Sequence, residues 1–375
     1  MKIVVAIDKF KGSATSRQLC DAIEETINQY RPGIEVLKVP LADGGDGTMQ
    51  AIKELLGDQC RECHVQVPGC LESLPPVHAH YLLDDESSTA YMDLATASGL
   101  ALVPTSERDV MHASTIGTGV MIVNAIENGA RNIVLGLGGS ATCDGAMGIL
   151  SALGCEFRDI NGNVIRPCGG NLSLIDHINT QGLSQRVRDV RFTLLTDVDN
   201  PLLGEKGASA VFAPQKGASP QQVVELENGL SNLSRFMPKD VVMMPGAGAA
   251  GGVAAGMVAM LDAVITPGVD FVLELSNFDD IIVDAQFIIT GEGRIDEQTA
   301  MGKAPAGVLR AASRRNIPVI ALCGSLDSRA DVAAMGFSQV IEVTPKDMPL
   351  NEAMKTAITL SLVSKAIKEI LSENV

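Results

Sequence analysis

The run Ile3-Val-Val-Ala-Ile7, followed by Asp8-Lys-Phe-Lys-Gly-Ser13, is the stretch from which the fold can be read. Five apolar residues, four of them β-branched, read as a strand buried on both faces, the habit of parallel sheets. Beyond the loop, Thr15-x-x-Gln18 matches a capping box that opens a helix. Leu19, Ile23 and Ile27 then recur every four residues along one helical face. Residues 35–40 predict a second strand, ending at Ala42-Asp-Gly-Gly-Asp-Gly-Thr48, and a second helix runs to about Leu56. This is the βαβα opening of an α/β protein.

The same grammar returns at the far end. Residues 287–290 predict a strand ending in Gly291-Glu-Gly-Arg294, residues 308–315 a helix, residues 318–323 a strand and residues 339–343 another. An amphipathic helix over about 351–373 closes the chain. The middle reads differently. Residues 64–67, 77–83 and 90–94 are short, alternating and separated by Pro, Gly and acidic turns, the pattern of an antiparallel meander. Strands at 133–137 and 192–196 follow. The expectation is therefore two domains: a doubly wound, Rossmann-like α/β domain built from residues 1–64 and 284–375, and an inserted mixed α/β domain over 65–283.

Composition narrows the function. The chain has 375 residues, of which 45 are acidic and 29 basic, giving a formal charge of −16. That field repels polyanions, so nucleic acid is excluded as a partner. Aromatics make up 3% and Trp is absent, which removes stacking platforms for single strands. Eight Cys spread over this length do not form a disulfide scaffold, and Cys60-x-x-Cys63 has no second pair at metal-site spacing. The N-terminal apolar run is too short for a signal peptide, and the uncharged stretch 245–261 is Gly- and Ala-rich and reads as a buried turn and helix. No membrane is implied; a cytoplasmic protein is expected, and a homodimer stays open.

Several motifs could carry chemistry. Gly136-Leu-Gly-Gly-Ser-Ala-Thr-Cys-Asp-Gly145 lies between a predicted strand and a predicted helix at 146–153, a setting in which backbone N–H groups converge on an anion. No Walker A is present: around Lys303 the spacing is wrong and Ala304 stands where Ser or Thr is needed. Gly246-Ala-Gly-Ala-Ala-Gly251 matches GxGxxG literally and supports an alternative, an NAD-dependent dehydrogenase, although Pro245 stands where a strand should lead in. Asp43 and Asp46, Asp197 and Asp199, and Glu292 and Asp296 fall at or after predicted strand ends, the edge where open α/β sheets bind ligands. Lys9, Lys11, Lys216, Arg294 and Lys303 lie in the same Gly-rich loops and suit phosphate or carboxylate. His78-x-His80 shares one strand face and reads as structural.

Taken together, the sequence resembles the bacterial glycerate kinase family of the non-P-loop type. The resemblance rests on residues 8–13, 42–48, 136–145, on Thr196-Asp-Val-Asp-Asn-Pro-Leu-Leu-Gly204, Phe212-Ala-Pro-Gln-Lys-Gly-Ala218 and Pro245-Gly-Ala-Gly-Ala-Ala-Gly-Gly252, and on Thr290-Gly-Glu-Gly-Arg-Ile-Asp-Glu-Gln-Thr299. These span nearly the whole chain in the family's order. Lys9 stands where the family usually has Ser, which leaves a side-chain role there open; Cys143 stands where Asn is common.

The resemblance implies two α/β domains with the active site in a cleft between them, and ATP, magnesium and D-glycerate as ligands. It favours 2-phosphoglycerate as product, with 3-phosphoglycerate as the alternative. Under that reading Asp43, Asp197 and Lys11 are the catalytic candidates, with Asp43 orienting or deprotonating the hydroxyl. Arg294, Ser13 and Lys303 are candidates for substrate, and Gly138, Gly139, Ser140, Gly291 and Gly293 for the nucleotide. Asp197 and Asp296 are the candidates for magnesium.

Overall fold

The computed structural model describes residues 1–45, 47–296, 299, 304–327 and 331–374. Along the chain the strands are β1 (Lys2–Ile7), β2 (Glu35–Pro40), β3 (Cys60–Val67), β4 (Val77–Asp84), β5 (Thr89–Asp93), β6 (Asn132–Gly136), β7 (Glu156–Arg158), β8 (His177–Asn179), β9 (Arg191–Leu195), β10 (Val264–Thr266), β11 (Phe287–Ile295), β12 (Val319–Leu326) and β13 (Gln339–Glu342). Contacts divide the chain into two units, residues 1–43, 50–55 and 267–375 in one, and residues 44–49 and 56–266 in the other.

In the first unit the strands run in the order β13-β12-β11-β1-β2, with every pairing parallel. Both faces are covered, as a parallel sheet requires. Ile3, Val5 and Ile7 pack with Leu19, Ile23 and Ile27 of helix Ser16–Tyr30 and with Val363, Ile367 and Ile370 of helix Thr356–Asn374. The alternate residues Val4 and Ala6 pack with Val269 and Val272 of helix Gly268–Leu275 and Val308 and Ala311 of helix Ala304–Ser313. Each such Val, Leu or Ile side chain contributes about 1.5–3 kcal/mol on full burial. The predicted capping box is present: the Gln18 amide donates to Thr15 Oγ1 at 3.2 Å, and the Thr15 amide donates to Gln18 Oε1 at 3.0 Å.

This strand order places a topological switch between β1 and β11. The chain leaves β1 toward β2 on one side and leaves β11 toward β12 and β13 on the other. In open α/β sheets, the loops beyond such a point diverge and leave a crevice for ligands.

The second unit holds a six-stranded sheet in the order β10-β9-β6-β5-β4-β3. The expected meander β3-β4-β5 is antiparallel, but β5 then pairs parallel with β6, and β6, β9 and β10 continue parallel. A small antiparallel ribbon, β7 with β8, has no counterpart in the sequence reading. Cys60 and Cys63 are three residues apart on β3, so they project from opposite faces and share no ligand.

The return to the first unit falls at Pro267, earlier than the boundary expected near 284. The reason is packing: β10 is hydrogen-bonded to β9, whereas helix Gly268–Leu275 immediately after it supplies core to the β1 sheet. Likewise residues 56–64 belong with β3 rather than with the first unit. No described helix is long and apolar enough to cross a membrane, and all eight cysteines are free thiols.

Candidate active site

The first unit gathers charged groups at its switch point. Asp8 follows β1 and is buried; its Oδ1 accepts the Lys9 amide at 2.7 Å. Burial pushes the Asp8 carboxyl up to about 7, against the pull of Lys9, and the neighbouring Asp43 and Glu292 carboxylates push the same way. Lys9 Nζ donates to Asp43 Oδ1 at 3.0 Å, beyond the end of β2. Glu292, buried on β11, accepts the Thr299 hydroxyl at 2.6 Å. The same Thr299 oxygen accepts the Asp296 amide at 3.0 Å, which fixes the turn where β11 ends. Three neighbouring parallel strands thus present Asp8, Asp43 and Glu292 at one edge.

The basic candidates differ in how committed they are. Lys11 is exposed, and among the described residues its ammonium pairs with no carboxylate. Arg294 donates from Nη2 to Asp327 Oδ2 at 2.6 Å; the arginine side chain is 60% exposed and the aspartate 8%. Ser13 is engaged elsewhere: its hydroxyl bonds the Thr359 hydroxyl, and its carbonyl accepts Thr356 Oγ1 at 2.6 Å. Gly291 lies inside β11, which runs five residues past the expected strand end. A β-carbon there would sit 2.3 Å from the Leu322 carbonyl oxygen. At Gly293 it would sit 3.2 Å from the Lys11 amide nitrogen. Both glycines therefore have a packing reason. Asp46 and Lys303 lie outside the described residues.

The second unit carries the glycine-rich loop 136–145 after β6. At Gly136 a β-carbon would crowd Asp93 Oδ1, 2.6 Å away at the end of β5. Gly139 adopts the left-handed conformation, φ +73°. The Gly138 amide is already used, donating to the Gly44 carbonyl at 3.2 Å, and the Ala141 amide donates to the Ser98 carbonyl at 2.9 Å. The amides of Gly139, Ser140, Thr142 and Cys143 donate to no protein acceptor among the described residues. Thr142 Oγ1 is buried without a partner. Four unspent N–H groups and an orphan hydroxyl thus lie in one glycine-rich loop, the kind of donor set that anions occupy. The following helix, Met147–Ala152, has only six residues and begins after a left-handed Ala146, so the loop amides outweigh any helix dipole.

Two buried charges support this loop. Asp144 Oδ2 accepts the Thr115 amide at 2.8 Å, the Thr115 hydroxyl at 2.9 Å and the Gly148 amide at 3.1 Å, while burial raises its carboxyl. Lys216 Nζ donates to Ser140 Oγ and to the Thr142 carbonyl, each at 2.7 Å. Asp197 is half-buried two residues past β9. The candidate residues therefore fall in two groups. Lys11, Ser13, Asp43, Gly291, Gly293, Arg294 and Asp296 belong to the first unit, and Gly138, Gly139, Ser140 and Asp197 to the second.

The profile of the glycerate kinase family matches residues 3–372. The chain belongs to the glycerate kinase family. It is 41% identical to a glycerate kinase of Halalkalibacterium halodurans over 96% of this chain and 94% of the relative. It is also 41% identical to the glycerate 2-kinase of Escherichia coli K12, over 95% and 94%. Among solved structures, a Salmonella typhimurium LT2 protein provisionally named glycerate kinase 2 superposes with a TM-score of 0.83 at 37% identity. That match covers 100% of this chain and 98% of the other.

Membership agrees with the absence of a dinucleotide site at 246–251, and the dehydrogenase alternative is corrected on both grounds. The GxGxxG follows helix Lys239–Met243 rather than a strand. Ala250, Gly251 and Gly252 are left-handed inside the span Ala249–Leu261. The glycines are there for close packing. A β-carbon at Gly248 would lie 2.4 Å from the Pro201 carbonyl oxygen, and at Gly251 2.3 Å from that of Thr142. The run wedges between the loop bearing Asp197 and the loop bearing Ser140, and the Gly145 amide donates to the Gly251 carbonyl at 3.1 Å.

Sequence reasoning marked Glu292 with Asp296 but did not single out Asp8, Asp93 or Asp144 of the observed clusters. Asp8 and Asp93 obey the rule that selected Asp43, a carboxylate at or just after a strand end, so the signal was present. Asp144 gave none, because its importance comes from burial against Thr115.

Proposed function

We propose that the protein transfers the γ-phosphoryl group of ATP to a hydroxyl of D-glycerate, giving 2-phosphoglycerate. The observation that carries this reading is the loop 138–145, whose four unspent amides suit the oxygens of a polyphosphate. In the proposed mechanism, Gly139 and Ser140 hold phosphate oxygens. Lys11 and Arg294 take anionic oxygens of glycerate or of the γ-phosphoryl group. Asp43 accepts the proton of the attacking hydroxyl. Its side chain is 39% exposed and can reach a ligand, whereas Asp8 is buried behind it and tunes the local charge. Phosphoryl transfer asks mainly for positioning and charge neutralisation, and these groups supply both.

Among the described residues, no group of three or more His, Cys, Asp or Glu is placed to hold a metal. Magnesium keeps its waters and takes only one or two carboxylates beside phosphate oxygens. Asp197 and Asp296 are the proposed carboxylates. The ion, when bound, would offset the negative charge of the β- and γ-phosphates. Because ATP is the donor, the cytoplasm is the proposed compartment.

The test is a coupled assay with ATP, magnesium and D-glycerate, with the product resolved by phosphorus NMR. ADP formation that depends on D-glycerate, with phosphate on the C2 oxygen, is expected. Phosphate on the C3 oxygen would overturn the regiochemistry, and glycerate-independent ADP release would overturn the function.

A further inference from the structure

We propose that Lys216 is a positioning residue for the ATP phosphates, acting from beneath the 138–145 loop through Ser140 and the Thr142 carbonyl. The inference rests on the reading of that loop as the polyphosphate site. Lys216 is 3% exposed, and among the described residues no carboxylate comes within ion-pair distance of its ammonium. An uncompensated buried ammonium is costly, so it is retained where a negative partner arrives later or where its hydrogen bonds hold a geometry.

The geometry specifies what it holds. An ammonium only donates, so Ser140 Oγ must accept from Lys216 at 2.7 Å. The Ser140 hydroxyl proton is then left for another acceptor. The second bond, to the Thr142 carbonyl, pins the peptide whose own N–H neighbours include the unspent amides of Thr142 and Cys143. One side chain thus engages the Thr142 carbonyl and leaves the Ser140 hydroxyl proton for an incoming oxygen. It also places a positive charge below a loop that must accept a polyanion.

The chain around Lys216 is built to deliver it. Pro214–Lys216 forms a single 3-10 turn, closed by Gly217 at φ +98°. A β-carbon at Gly217 would lie 2.7 Å from the Arg108 carbonyl oxygen, so the turn is wedged against its neighbour. Burial lowers the Lys216 amine to about 8, with Asp144 and Cys143 the titratable groups that act against that shift. It is therefore mostly charged at neutral pH.

The experiment measures ATP binding by titration calorimetry and both KM values for wild type, Lys216→Met, Lys216→Gln, Ser140→Ala and Gly139→Val, after thermal melts confirm folding. Lys216→Met should weaken ATP binding by about 10- to 100-fold and leave the glycerate KM within about threefold. Lys216→Gln, which keeps N–H donors without charge, should recover part of that loss. Ser140→Ala should weaken ATP binding less, and the double variant Ser140→Ala with Lys216→Met should lose less than the product of the two single losses, since Lys216 acts partly through Ser140. Gly139→Val distorts the loop itself and tests the underlying site. If Gly139→Val loses ATP while both Lys216 variants bind it as wild type does, the site stands and the role of Lys216 falls. If Gly139→Val also binds ATP normally, the site itself is wrong. Multiplying losses in the double variant would equally end the positioning role.

Discussion

Lys9 Nζ donates to Asp43 Oδ1 at 3.0 Å, tying the loop after β1 to the loop after its neighbour β2. The pair is a part-exposed one, with the lysine side chain 23% and the aspartate 39% accessible, so it contributes about 0.2–1 kcal/mol at most. Its value lies in aiming Asp43. Asp43→Asn keeps the shape and removes the proton acceptor. Turnover should fall by about 100-fold or more, the usual worth of general-base help, while ATP affinity and the melting temperature stay near wild type. A variant with turnover within a few-fold of wild type would remove Asp43 from the chemistry.

The buried Asp8 carboxyl gives a stability signature with a definite sign. Its proton is held up to about pH 7 in the folded chain, against an ordinary value of 3.8. Between those values the folded state binds more protons than the unfolded one, so this group's contribution is full at low pH and is lost as pH rises through 7. Asp8→Asn carries no such proton. The stability of Asp8→Asn relative to wild type should therefore increase from pH 4 to pH 7 and level off above it. Urea midpoints at pH 4.5, 6 and 8 check this, and a difference that stays constant across the three contradicts the shift.

How far the sequence led depends on the range of the interactions concerned. The β1 strand and the Thr15–Gln18 capping box were legible because both are set by residues within a few positions. The switch point was not, since it depends on β11 pairing with β1 across nearly the whole chain. The boundary at Pro267 was hidden for a similar reason: only the pairing of β10 with β9 tells which sheet the segment joins. Among the candidate residues, Ser140 and Asp43 were marked by glycine-rich, strand-end grammar. Ser13 was marked by the same loop, yet its hydroxyl is occupied by Thr359, a contact with the C-terminal helix that no local pattern announces. Conversely, the GxGxxG of 246–251 is a local match whose meaning is reversed by its surroundings, because its glycines admit carbonyls of other loops and not a pyrophosphate.

Arg294 offers a test of the substrate clamp. Its guanidinium spends one nitrogen on Asp327 at 2.6 Å and remains 60% exposed, leaving donors for a carboxylate. Lysine preserves the charge but lacks the planar fork that binds a carboxylate through two bonds. Arg294→Lys should raise the glycerate KM by about tenfold with little change in the ATP KM. An unchanged glycerate KM would assign Arg294 to Asp327 alone.

The packing of the second glycine-rich run against the first yields the last expectation. Gly251 sits at φ +70°, and a β-carbon on it would stand 2.3 Å from the Thr142 carbonyl oxygen and 2.5 Å from the Cys143 α-carbon. Both obstacles are backbone, so they cannot rotate aside. Gly251→Ala must either distort its own left-handed turn or push residues 142–143 outward, and overpacking of this kind costs about 1–3 kcal/mol. The displaced residues carry two of the four unspent amides and the carbonyl that Lys216 holds. The substitution should therefore lower the urea midpoint and weaken ATP binding by about tenfold or more, with the glycerate KM affected less. Gly129→Ala, at an exposed left-handed glycine with open space around it, serves as the control for strain without collision. It should lower the midpoint without touching ATP affinity. If both variants spare ATP binding, the two glycine runs are coupled only through stability and not through the phosphate site.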